Sequence, residues 1–132
     1  MRYIPLPMPV AVKASHSDLA RLEYVGKGRG LRAMFKIPDD EDGGLLVVFD
    51  KIETFRVVDE MPLSTEAPAF PEGLVEEHVA YRVEDGVFRQ NQSEAFHANS
   101  PDLHHYQFVT GWMCLDVLSY GPPEMRVERG ET

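Results

Sequence analysis

Two adjacent histidines, His104-His105, follow Asp102 and form the first constellation with the elements of metal chemistry, since imidazole and carboxylate are standard ligands. Neighbouring side chains on a strand point to opposite faces, so both imidazoles cannot easily reach one ion. Asp102 and His104 can share a face, and His16 with Asp18 offers a second such pair, but spacing supplies no third ligand. The expectation is no metal and no cofactor. Cys114, the only cysteine, sits inside Trp112-Met-Cys-Leu115 without a basic neighbour or helix N-terminus to lower its pKa. It reads as a buried, inert thiol. Gly26-Lys-Gly-Arg-Gly30 concentrates two cations and could hold an anion on its backbone N–H groups. A strand follows it, and it lacks the Gly-Lys-Ser/Thr ending of a phosphate loop. Acidic pairs recur at Asp39-Asp40, Glu41-Asp42, Asp59-Glu60, Glu76-Glu77 and Glu84-Asp85, mostly beside turns, where solvated charge is the default. No catalytic residue is assigned, and a non-enzymatic role is preferred.

The chain has 132 residues with 22 acidic against 13 basic side chains, a formal charge of −9. That sign opposes nucleic-acid binding, which needs clustered Lys and Arg, and suits a basic partner. One cysteine precludes an internal disulfide framework and fits a reducing compartment, so a cytoplasmic location is expected. Prolines at 5, 7 and 9 interrupt the place where the apolar core of a signal peptide would run, and no apolar run is long enough to span a membrane.

The elements that must position these groups are mostly short strands. Residues 1–9 form an extended proline-rich lead-in that cannot be a helix or a central strand. Leu19–Val25 reads as a strand, and Leu31, Ala33, Phe35 and Ile37 alternate with polar or exposed positions as its hairpin partner. Leu45-Leu-Val-Val-Phe49 is a run suited to burial on both faces, and Ile52–Val58 resumes after Asp50-Lys51. From Met61 to Gly73, three prolines and no periodicity indicate a long loop. Val79–Val83 and Val87–Gln90 flank Asp85-Gly86, the strongest short hairpin signal in the chain. Arg56, Arg82 and Arg89 fall in these apolar runs and read as stems lying across a sheet with their heads in water. Ser93 caps a short helix that ends before Ser100-Pro101. Leu103–Ser119 forms a closing hairpin turning at Thr110-Gly111, and residues 124–132 are expected to be a loose tail. The whole reads as one domain, 1–132, mainly β: an antiparallel sandwich or open barrel of about eight short strands with one or two short helices.

The blocks Leu45–Phe49, Thr54–Glu60, Ser93 before a helix, His105–Phe108 and Leu115–Ser119 resemble small bacterial β-domains, some of which are similar to immunity proteins of polymorphic toxin systems. The resemblance covers Leu45 to Pro123 and brings no catalytic residues. It implies a protein that blocks a partner by binding it.

Two function classes follow. The first is a protein-binding domain whose carboxylates, from Asp39, Asp40, Glu41 and Asp42 and from Glu72, Glu76 and Glu77, meet a basic protein around Phe70 as apolar centre. The second is a small-ligand or enzymatic β-domain with a cavity near Tyr81, His105, Tyr106 and Trp112. Self-association through unpaired sheet edges is a third class.

Overall fold

A computed structural model describes residues 1–26, 30–66 and 71–129. Nine strands form two antiparallel sheets that face each other without closing into a barrel. The five-stranded sheet has the order β1-β6-β7-β8-β5, from Arg2–Pro5, Ala80–Glu84, His104–Phe108, Met113–Ser119 and Ile52–Asp59. The four-stranded sheet has the order β2-β3-β4-β9, from Leu19–Val25, Gly30–Lys36, Gly43–Phe49 and Glu124–Arg129. Three short helices, α1 (Glu60–Ser64), α2 (Val87–Gln90) and α3 (Glu94–Asn99), lie in the connections of the five-stranded sheet.

Alternation along β3 buries Leu31, Ala33 and Phe35 while Arg32 and Lys36 stay in water, as the period of two requires. Leu45, Val47 and Phe49 of β4 join them from beside, and Tyr106, Phe108, Leu115 and Val117 come from the opposite sheet. Phe35 stacks on Phe108 with ring centres 5.4 Å apart, and Phe49 packs edge-on to the same ring at 6.1 Å. This aromatic contact ties the closing hairpin to the four-stranded sheet.

Three expectations are corrected. Residues 124–129 are not a tail: they pair with β4 from Gly43↔Arg129 to Val48↔Glu124. Met125 and Val127 turn toward the core there, leaving Glu124, Arg126 and Glu128 on the other face. Asp85-Gly86 makes no hairpin. Asp85 adopts φ 56° but Gly86 sits at −74°, so the positive pair a type I′ turn needs is absent and the chain enters α2. Arg89 is consequently helical. The loop after Met61 begins as α1, because Asp59 caps it by accepting the Met61 N–H, and Pro62 falls in the first turn, where it displaces no intrahelical bond. The fold class is as read, with nine strands, three short α-helices and one 3-10 turn at Ala14–His16 among the described residues. The Ser93 cap is as read: its hydroxyl accepts from Phe96 N–H at 3.1 Å.

Side chains that alternate away from the sandwich core in the five-stranded sheet form a second layer. On β7 these are His105 and Gln107, on β8 Cys114, Asp116 and Leu118, and on β5 Arg56, which stands directly opposite Asp116. Tyr3, Tyr81 and Val83 continue this face as a small apolar cluster.

Candidate functional site

The second layer is held by charge. Asp116 is fully buried and takes four donors: His105 Nε2 (2.6 Å) and Gln107 Nε2 (2.9 Å) on Oδ1, Arg56 Nε (3.0 Å) and Nη2 (2.6 Å) on Oδ2. Arg56 also forks onto Glu66 with two bonds of 2.8 Å. Phe88 of α2 roofs the group, its ring centre 4.9 Å from the Arg56 guanidinium carbon and 5.9 Å from the His105 ring. Burial alone would push the Asp116 carboxyl up. The donors from His105, Gln107 and Arg56 reverse that and hold it below the usual aspartate range. The Glu66 fork raises the Arg56 pKa further still, against the opposing effect of burial. A histidine on a carboxylate is a familiar acid–base unit. Here its Nε2 is spent on Asp116 and its Nδ1, buried beside Gly86, has no partner among the described residues. The arrangement locks the outer face of the sheet.

One end of the sheet opens into a cleft of about 330 Å³ against this layer. Arg82 and Glu84 from β6, Arg89 from α2, His97 from α3 and His104 line it, with His105 as the wall toward Asp116.

A second surface lies along the outer edge of β1, where residues 71–78 form a rigid display. Tyr3 N–H donates to Glu72 O (2.8 Å), Ala14 N–H to Glu77 O (3.1 Å), and His78 Nε2 bonds Leu6 O (3.0 Å). The Tyr81 hydroxyl donates to Val75 O (2.8 Å) and accepts from Val75 N–H (3.1 Å). Gly73 has φ 81°, and a Cβ there would run into the Tyr3 carbonyl, so only glycine suits the position. Leu74 and Val75 are left 49% and 48% exposed between Glu72 and Glu76-Glu77. Beside them Leu6, Met8, Val10 and Val12 line a groove of about 320 Å³.

The residues singled out from sequence divide among these places. Tyr81 and His105 lie on the outer face of the five-stranded sheet, Tyr106 on the inner face, and Trp112 stands 55% exposed on the β7–β8 turn, so the four do not converge on one cavity. Asp39, Asp40, Glu41 and Asp42 occupy the β3–β4 turn, where Asp40 is paired with Arg129. No hydrogen bond or ion pair among the described residues joins them to Glu72, Glu76 and Glu77. Phe70 and the cations Lys27 and Arg29 lie outside the described residues. His104 is exposed and His105 buried, as alternation requires. Asp18 Oδ1 accepts the Met113 N–H at 3.0 Å and so acts as a backbone latch. Among the described residues no three His, Cys, Asp or Glu side chains cluster to hold a metal. Cys114 is buried, and burial pushes its thiol up.

Asp116, Gln107 and Glu66 were missed, and Arg56 is ion-paired in place of having its head in water. A signal was present: His105, Gln107 and Asp116 are polar residues at outward positions of strongly apolar strands, and buried polar groups need partners. Comparison with protein families, characterised proteins and solved structures returns no match for this chain, so the resemblance to immunity proteins gains no support from that side.

Proposed function

We propose that this chain is a non-enzymatic binding domain that docks a basic protein through residues 72–77. Leu74 and Val75 carry this reading: they are half-exposed apolar side chains held on a hydrogen-bonded scaffold and rimmed by carboxylates. An apolar centre inside a charged rim is the usual anatomy of a protein contact. Rigidity lowers the ordering cost of binding. Leu74 takes the place that sequence reading assigned to Phe70. The groove of Leu6, Met8 and Val10 receives an apolar side chain of the partner, while Glu76, which makes no ion pair among the described residues, meets a Lys or Arg. The charge of −9 steers encounter and selects a basic partner. The partner is blocked sterically, as an immunity-like role requires.

Co-purification with the product of a neighbouring gene supplies a partner for the test. The L74S/V75S double variant should lose that association, chiefly through faster dissociation, while its thermal midpoint stays within a few degrees of the parent. Retention of full affinity in that variant overturns the reading.

A further inference from the structure

We propose that the cleft between the end of β6 and helices α2 and α3 binds a small molecule bearing an oxyanion, a carboxylate or a phosphate. The docking surface at residues 72–77 plays no part in this.

Arg82 is the main reason. The residue is partly buried and makes no ion pair among the described residues. A cation partly removed from water without a counterion is costly to keep, and an oxyanion is the group that offsets the cost. Arg89 faces the same space. It gives one donor to Pro101 O at 3.3 Å and commits no other to a partner among the described residues. His97 and His104 add ring N–H donors. Two carboxylates stand at the rim, but Glu84 already faces Arg2 at 3.8 Å, which leaves Asp85, exposed on the turn, as the opposing charge. Arg82 and Arg89 thus balance Glu84 and Asp85, which makes the cleft a locally neutral place in a chain of net charge −9.

His105 closes the cleft on the side of Asp116. It is 2% exposed, lines the cleft, and is clamped through Nε2 to Asp116 at 2.6 Å. Its Nδ1 is packed against Gly86, on the turn that leads into α2, and has no hydrogen-bond partner among the described residues. The Asp116–Arg56–Glu66 chain behind it holds the ring in one orientation before any ligand arrives. The volume of about 330 Å³ lies at the small end of ligand sites and suits a small molecule.

The test uses the full chain with inorganic phosphate and with succinate as probes, titrated against sodium chloride at matched ionic strength. Imidazole resonances of His97 and His104 and calorimetric heat are the readouts. Saturable shifts with either probe and none with chloride are expected, and the probe that binds tighter identifies the class. Arg82→Gln should weaken that binding by about tenfold or more, the effect of losing a charge-assisted hydrogen bond. Arg32→Gln, on the far face of the other sheet, should leave it unchanged. Should Arg82→Gln prove less stable, Arg89→Gln on the exposed side of the cleft provides the same comparison. Shifts that fail to saturate, or saturable binding that survives both Arg82→Gln and Arg89→Gln, overturn the proposal.

Discussion

Asp116 concentrates more consequence than any other side chain. Its folded pKa lies below that of the unfolded chain, so its contribution to stability is complete above roughly pH 4, the unfolded value, and is lost as pH falls through the folded value. Urea titrations should therefore show stability dropping steeply on the acid side, and D116N should flatten that slope. At neutral pH the same variant leaves Arg56 and His105 facing an acceptor without charge and should cost about 3 kcal/mol, read from the urea midpoint at constant m. A cost under about 1 kcal/mol would show that the buried cluster contributes little to folding. Gly86→Ala tests the neighbouring packing. The added methyl would meet His105 Nδ1 and the Val83 side chain, and roughly 1–3 kcal/mol of overpacking is expected, with a displaced His105 imidazole resonance. On the alkaline side, burial, followed by the charge of Asp116, pushes the Tyr3 hydroxyl up to about 12. Because the folded pKa is raised, that contribution to stability is intact below about pH 10 and fades as pH climbs toward 12. Phenolate absorbance should show a late-titrating step that Y3F removes.

At the scale of elements, β9 and β7 carry the informative cases. Without β9, the main-chain groups of β4 would face solvent along the whole span Gly43–Val48. Val127→Asp places a carboxylate against the core cluster and should destabilise by about 2–3 kcal/mol, whereas Arg126→Asp on the opposite face should stay within about 0.5 kcal/mol; thermal melts of the pair measure the difference. Alternation in Glu124–Arg129 was visible in the sequence, but Gly121-Pro122-Pro123 just before it looked like an ending. For β7, Tyr106 and Phe108 lie in the sandwich core while His105 and Gln107 are roofed by other elements. Phe108→Ala would empty the contact with both Phe35 and Phe49 and should cost about 3–5 kcal/mol in denaturant unfolding.

For the whole molecule, two separate places are proposed as binding sites. The sign of the net charge governs the first, since association through residues 72–77 should slow as salt rises, and E76K should slow it further at low salt. An association rate indifferent to salt would remove the electrostatic part of that reading. The second place, the cleft, is lined by two arginines and two carboxylates and lies apart from the first. Glu72, Glu76 and Glu77 were read from the chain as docking residues, but the apolar centre at Leu74 and Val75 and the cleft were not. Residues 72–77 are displayed because Tyr3, Ala14 and Tyr81 anchor them, and the cleft exists because β6, β7, α2 and α3 meet at one end of the sheet.

Period-two alternation, turn residues and composition were local properties, and by themselves they determined the class: a mainly β chain, strands over 19–25, 31–37 and 45–49 to within a residue or two, the closing hairpin at 103–119, the Ser93 cap, and the opposite faces of His104 and His105. Tertiary structure alone decided which face of each strand is covered and which distant groups meet. Arg56 and Asp116 stand 60 residues apart and touch because β5 pairs with β8 in a register set by the packing of both. A strand's pattern says that its two faces differ. Only the neighbouring strands and the segments laid over the sheet establish that the polar face of β7 is buried, and burial is what turns His105, Gln107, Asp116 and Arg56 into a single charged unit.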